Sequence, residues 1–250
     1  MGDELSYVYA VGVRIPRGVV ADLRGIGDHP VRLVEDGGIA AVVGSVPADE
    51  FTAEQIEERL QDLAWISETA RAHHRVVDVV GAQAVVAPFA LATVYRDDAR
   101  VEQILRERAG AFAAVLDRLR GRAEWGVKAW AGSAPQRSEG GRASSGAEYL
   151  RRRRAVLRES ERETDVAFDA AEKLHGTAAG GADAARRHRL HEPALSGRSE
   201  PMVLNGAYLV HTGHVDRWRA AVEEAGERSG LSVEVTGPWV PYSFVDEGSR

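Results

Sequence analysis

The chain closes on Thr236-Gly237-Pro238-Trp239-Val240-Pro241-Tyr242-Ser243-Phe244, and this stretch restricts the fold more than any other. Each proline fixes its own φ and drives the residue before it toward extended geometry, so the segment forms a stiff ribbon rather than a helix. A ribbon loses little entropy on packing, and its three rings carry too much apolar area to stay in solvent. The expectation is a docked tail. Trp239 is expected to be buried against the second half of the chain as a structural clasp, with Tyr242 and Phe244 nearer the surface as candidate contacts.

With 250 residues, the chain is long enough for one large domain or two, with a substantial core. Its formal net charge of -6 argues for solubility and against a polyanion such as nucleic acid as partner. There is no cysteine, which excludes disulfides, thiol catalysis and zinc–thiolate sites. The acidic start, Met1-Gly2-Asp3-Glu4, is unlike a signal peptide, and no apolar run approaches membrane-spanning length, so a cytoplasmic protein with no membrane partner is expected.

Strands come first. Leu5 to Val13 is rich in β-branched and aromatic residues, and Val31 to Val34 and Ile39 to Val43 are joined by the hairpin sequence Glu35-Asp36-Gly37-Gly38. Thr52 and Gln55 form a capping box, with Phe51 and Ile56 as its hydrophobic staple. One helix is predicted from there to Gly81, with Ile56, Leu60, Leu63, Ile66, Ala70, Val77 and Val80 on its buried face. Val85 to Tyr95 reads as a strand broken at Pro88. Asp97 and Asp98 cap the next helix, whose Val101, Leu105, Phe112, Val115, Leu116 and Leu119 share a face until Gly121.

From Glu124 the order becomes strand, long helix, weak strand, strand, helix, strand, which is that of a ferredoxin-like domain. The fold class is therefore α+β. Two domains are expected, an α+β domain over 1–121 and a modified ferredoxin-like domain over 122–250. Residues 131–145 are glycine- and serine-rich with little to bury and read as a mobile loop. Ser145 and Glu148 cap the long helix that follows.

No catalytic, metal or cofactor constellation emerges. His73 and His74 are adjacent, so on a helix they cannot chelate one ion together. His73 shares a face with Ala70, Val77 and Val80 and is expected to be a structural, hydrogen-bonded core residue. His188, His191, His211 and His214 lack a carboxylate at helical spacing. The Gly25 and Gly27 pair lacks the remainder of a dinucleotide fingerprint. The basic run Arg151-Arg152-Arg153-Arg154 opposes the macrodipole near the start of a helix. It reads as a solvated face bridged by pairs such as Glu148–Arg152, Arg162–Asp165 and Asp169–Lys173, or as a docking stripe in which Arg151, Arg152 and Arg154 meet an acidic partner.

The closing stretch resembles the Gly-Pro-Trp-Pro-Pro-Tyr-Ser-Phe signature of the gas vesicle protein F and L family, with Val240 where proline is usual. Four further stretches agree in order: Tyr7-Val8-Tyr9-Ala10, Pro88 to Tyr95, Glu124-Trp125-Gly126-Val127-Lys128, and Leu204 to Val210. Trp125 and Lys128 are candidate structural residues. Ala90 and Ala92 depart from the arginine and glycine that many members carry. Gas vesicles are hollow shells built from a small, very apolar subunit. The resemblance implies an accessory or minor structural protein of gas vesicle assembly, binding the shell protein and other accessory proteins, with two domains and no cofactor. The competing class is a small-molecule-binding enzyme or sensor on a ferredoxin-like scaffold.

Overall fold

A computed structural model of the protein describes residues 4–59, 61–132, 146–191 and 200–245. The chain divides into two compact units. The first comprises Met1–Ala123 together with Trp239–Arg250, and the second comprises Glu124–Pro238.

In the first unit, strands β1 (Glu4–Val13), β2 (Val31–Asp36), β3 (Ile39–Pro47), β4 (Val85–Pro88) and β5 (Val94–Tyr95) form one antiparallel sheet. The order is β2-β3-β1-β4, with β5 also paired to β1. Strand β1 is central and its residues from Ser6 to Val11 are all buried, the signature of a strand covered on both faces. Gly37 and Gly38 turn the β2–β3 hairpin at φ 58° and 86°, a left-handed pair that costs glycine nothing.

The helix expected between Thr52 and Gly81 is two helices, α2 (Ala53–Arg59) and α3 (Leu63–Gly81); α1 (Arg17–Ala21) precedes them. The capping reading of Thr52 holds in part, since its Oγ1 accepts from the Gln55 N–H at 3.2 Å. The break comes from Asp62, whose carboxylate accepts the Ala64 and Trp65 N–H groups at 2.8 and 3.3 Å and so starts a new helix. Leu63 becomes the first residue of the new helix. Leu63, expected inside, is 79% exposed, and the buried face runs through Thr69, Ala72, His73, Val76, Val77 and Val80. Leu60 lies outside the described residues.

Downstream, one expected helix is again two, α4 (Asp98–Glu107) and α5 (Ala109–Leu119), separated by Arg108 at φ -113°. All six residues assigned to its apolar face are buried. Asp97 caps α4, accepting from the Arg100 N–H at 2.8 Å. Asp98 does something else. It receives Arg32 in a two-pronged pair, Nε to Oδ2 at 2.8 Å and Nη2 to Oδ1 at 2.7 Å, and the Ser6 hydroxyl at 2.6 Å. The Arg32 hydrogen bonds hold its carboxyl below the usual carboxylate range. This network ties α4 to β1 and β2 across long sequence separations.

In the second unit, β6 (Arg122–Trp130), α6 (Gly146–Gly180), β7 (Ala184–Arg187), β8 (Met202–His211), α7 (Val215–Ser229) and β9 (Ser232–Trp239) follow in that order. Their sheet has the strand order β7-β8-β6-β9. Gly230, at φ 70°, closes α7. Inside the unit, Trp218 donates its indole N–H to the Ala178 carbonyl at 2.8 Å and lies 6.0 Å from Trp125 and 5.8 Å from Tyr208. The proposed loop falls mostly on residues 133–145, and these, with the cap residue Ser145, lie outside the described residues.

Candidate interaction surface

The tail docks, but on the first unit and with the opposite rings inward. Trp239 is 53% exposed, whereas Phe244 is 6% exposed and Val245 is buried. The expected assignments of Trp239 as a buried clasp and Phe244 as a surface contact are therefore reversed. The cause is extended geometry, which sends successive side chains to opposite sides. Val240 fits against Gly81 at the end of α3, where a Cβ would stand 2.6 Å from its Cγ2. Trp239 must then face away. The chain tightens into a 3-10 turn over Tyr242–Phe244, and the Phe244 carbonyl accepts from Arg118.

Tyr242 is half-buried, its ring 4.8 Å from His74 and 6.1 Å from His73. Burial pushes its phenol well above the usual range. His73 is 1% exposed, and its Nδ1 lies 2.9 Å from the Tyr7 hydroxyl. That hydroxyl also accepts the Ala92 N–H at 2.9 Å. The direction of the Tyr7–His73 hydrogen bond is set by the imidazole tautomer, since the hydroxyl can donate to Nδ1 or accept from it. Burial, helped by His74, pushes the His73 pKa down to about 4. His73 is thus buried and hydrogen-bonded within the first unit.

In the second unit His175 of α6 meets the Tyr208 hydroxyl at 2.8 Å. Beside it, Arg187 and Glu172 form a two-pronged pair at 2.5 and 2.6 Å. Burial pushes Tyr208 up to about 12 and lowers His175 from its ordinary value. Among the described residues of this unit, grooves open on either side of α7. One, of about 450 Å³, lies between α6 and α7 and has the 68% exposed Val166 at its lip. The other, of about 350 Å³, runs between α7 and β9, with Leu231, Val233 and Val235 below and Arg219, Glu223 and Glu227 above.

The remaining sequence candidates scatter. Trp125 is buried on β6 with the Arg219 guanidinium 5.4 Å from its ring centroid, and Lys128 is half-buried on the same strand. Arg154 is exposed on α6; the side chains of Arg151 and Arg152 lie outside the described residues. Two ion pairs expected on α6, Arg162–Asp165 and Asp169–Lys173, are not among those formed by the described residues. The His211 and His214 rings lie 5.2 Å apart, tilted by 42°, and His211 Nδ1 accepts the Gly213 N–H at 3.1 Å, a local cap. Among the described residues no three His, Asp or Glu side chains gather to hold a metal. Sequence reasoning missed the β9 groove. Its signal was the alternation Leu231, Val233, Val235, which marks one apolar strand face but does not say how much of it a helix covers.

The first unit also carries a polar hollow of about 580 Å³ with Glu50, Arg59, Glu68 and Arg75 in its lining, and the closing segment carries an exposed indole at Trp239. A family model described as "Gas vesicle synthesis protein GvpL/GvpF" matches residues 5–246. The chain belongs to that family, and its work is with gas vesicles. It is 40% identical to a gas vesicle protein L of Streptomyces sp. (strain CB03234) over 97% of this chain and 93% of that one. It is also 26% identical to a gas vesicle protein F of the same strain, over 96% of this chain and 99% of that one. Among solved structures, its fold is similar to the gas vesicle protein GvpF of Anabaena sp. PCC7120, with TM-score 0.69, 17% identity and coverage of 97% and 96%. GvpF of Microcystis aeruginosa is similar at TM-score 0.65 and 16% identity, covering 96% and 98%. No described helix is long and apolar enough to cross a membrane.

Proposed function

We propose that this protein takes part in gas vesicle assembly as a non-catalytic accessory or minor structural component that binds the apolar shell subunit and other accessory proteins. The observation that carries the reading is the exposure of Trp239, an indole 53% open to solvent on a segment otherwise docked into the core. Exposed tryptophan is costly to solubility and dominates binding energy where a partner covers it. An apolar subunit needs such cover, since uncovered apolar patches and strand edges aggregate. The second unit is read as a ferredoxin-like domain beginning near Gly121, supported by its element order and its β7-β8-β6-β9 strand order.

The test is co-purification of the shell subunit with the wild-type protein and with Trp239→Ala. The variant is expected to stay folded, with its denaturation midpoint nearly unchanged, and to capture several-fold less shell subunit. No capture by the wild-type protein, or equal capture by both, overturns the proposal.

A further inference from the structure

The two edges of the second sheet are unlike. At one edge β7 has only four residues, of which Arg186 and Arg187 are exposed, and Arg187 is held by Glu172. Short length and charge are the usual protections of an edge against added strands. At the other edge β9 runs for eight residues, and among the described residues no strand lies beyond it. Its Val233 and Val235 are half-buried and, with Leu231, floor the groove beneath α7. Helix α7 lies close above, since a Cβ on Gly226 would stand 3.1 Å from Val233 Cγ2. On the rim, Glu223 is paired with Arg219 at 3.3 Å, while Glu227 is exposed and forms no ion pair among the described residues.

An occupant of this place must meet two demands. It must be extended, because an edge strand offers a row of backbone donors and acceptors at strand spacing. It must alternate, placing apolar side chains over Leu231, Val233 and Val235 and others toward solvent. A basic side chain on it would complement the exposed Glu227 carboxylate. We infer that β9 receives an extended, alternately apolar segment of the shell subunit as an added strand, with a basic side chain of that segment on Glu227. This rests on the proposed function and adds to it where and how the subunit is held.

The absence of cysteine makes single-cysteine variants selective reporters. Ser232→Cys on β9 and Arg186→Cys on β7, each carrying a benzophenone maleimide, are irradiated with co-expressed shell subunit. Crosslinking at Ser232→Cys is expected to exceed that at Arg186→Cys by at least five-fold. In parallel, Val235→Asp, verified as folded by its circular dichroism and cooperative unfolding, is expected to capture at least ten-fold less shell subunit, and Glu227→Lys several-fold less. If the wild-type protein captures no shell subunit, the proposed function falls and this inference with it. If capture is normal but the crosslinks favour β7, join two copies of this chain, or Val235→Asp and Glu227→Lys bind as wild type, the inference alone falls.

Discussion

Both units place a tyrosine hydroxyl against a histidine Nδ1 from a neighbouring helix, Tyr7 with His73 at 2.9 Å and Tyr208 with His175 at 2.8 Å. The hydrogen bonds match; the surroundings do not. Around His73 the rings of Tyr7, Tyr9 and Tyr242 lie within 6.1 Å, and the imidazole is sealed from water. His175 is only half-buried and has the Glu172–Arg187 pair beside it. The same pair of residue types is a locked core element in one unit and a solvent-edged polar cluster in the other. Enclosure decides which, and in the first unit the closing segment of the chain supplies part of it.

The most severe way to break the contrast is to undock the tail. Phe244→Ala removes a buried ring and is expected to destabilise the first unit by about 3 to 5 kcal/mol, read by chemical denaturation. Trp239→Ala, at an exposed ring, is expected to cost under about 1 kcal/mol. Equal losses would show that the tail is not held by its inward ring.

Acid probes the same enclosure. His73 has its pKa lowered to about 4 from 6.5, so between those values the unfolded chain binds a proton that the folded protein does not. Stability therefore rises with pH through this window. It is fully present above about pH 6.5 and falls by about 3 kcal/mol on acidification to pH 4, at about 1.4 kcal/mol per unit. NMR titration of the two histidines checks it, His73 staying neutral well below His175. Tyr242→Ala, by admitting water, should move the His73 value back toward its ordinary one.

Removing each hydroxyl gives a smaller effect. Tyr7→Phe strands both the Ala92 N–H and His73 Nδ1 in the interior and is expected to cost about 2 to 3 kcal/mol. Tyr208→Phe leaves His175 within reach of solvent and should cost about 1 kcal/mol. Thermal unfolding of the two variants compares them directly. The smallest effect is a gain. Ala92 is held at φ 63° where its N–H meets Tyr7, a left-handed conformation that costs alanine more than glycine. Ala92→Gly, restoring the residue common in the family, should stabilise by about 0.5 to 1 kcal/mol, since the relief slightly exceeds the added chain entropy.

The sequence by itself determined what local chemistry determines. Runs rich in β-branched and aromatic residues placed β1, β2 and β3, two adjacent glycines placed the hairpin turn, and Asp97 placed the start of α4. The family was legible too, because its motifs are short, ordered and carried by residue identity. What only the tertiary structure decided were choices between near-equal local options. Leu63 fits the helical period much as Val77 does, but the Asp62 cap makes it the first residue of a helix, where it is exposed while Val77 is buried. Asp98 could cap like its neighbour, yet an arginine from β2, far away in sequence, claims it. In the tail, three rings compete for cover that extended geometry cannot give to all of them. The gap above Gly81 settles the order by taking Val240, which leaves Trp239 in solvent and carries Phe244 into the core. A sequence states which side chains seek burial; the space left by residues distant along the chain determines which of them obtain it.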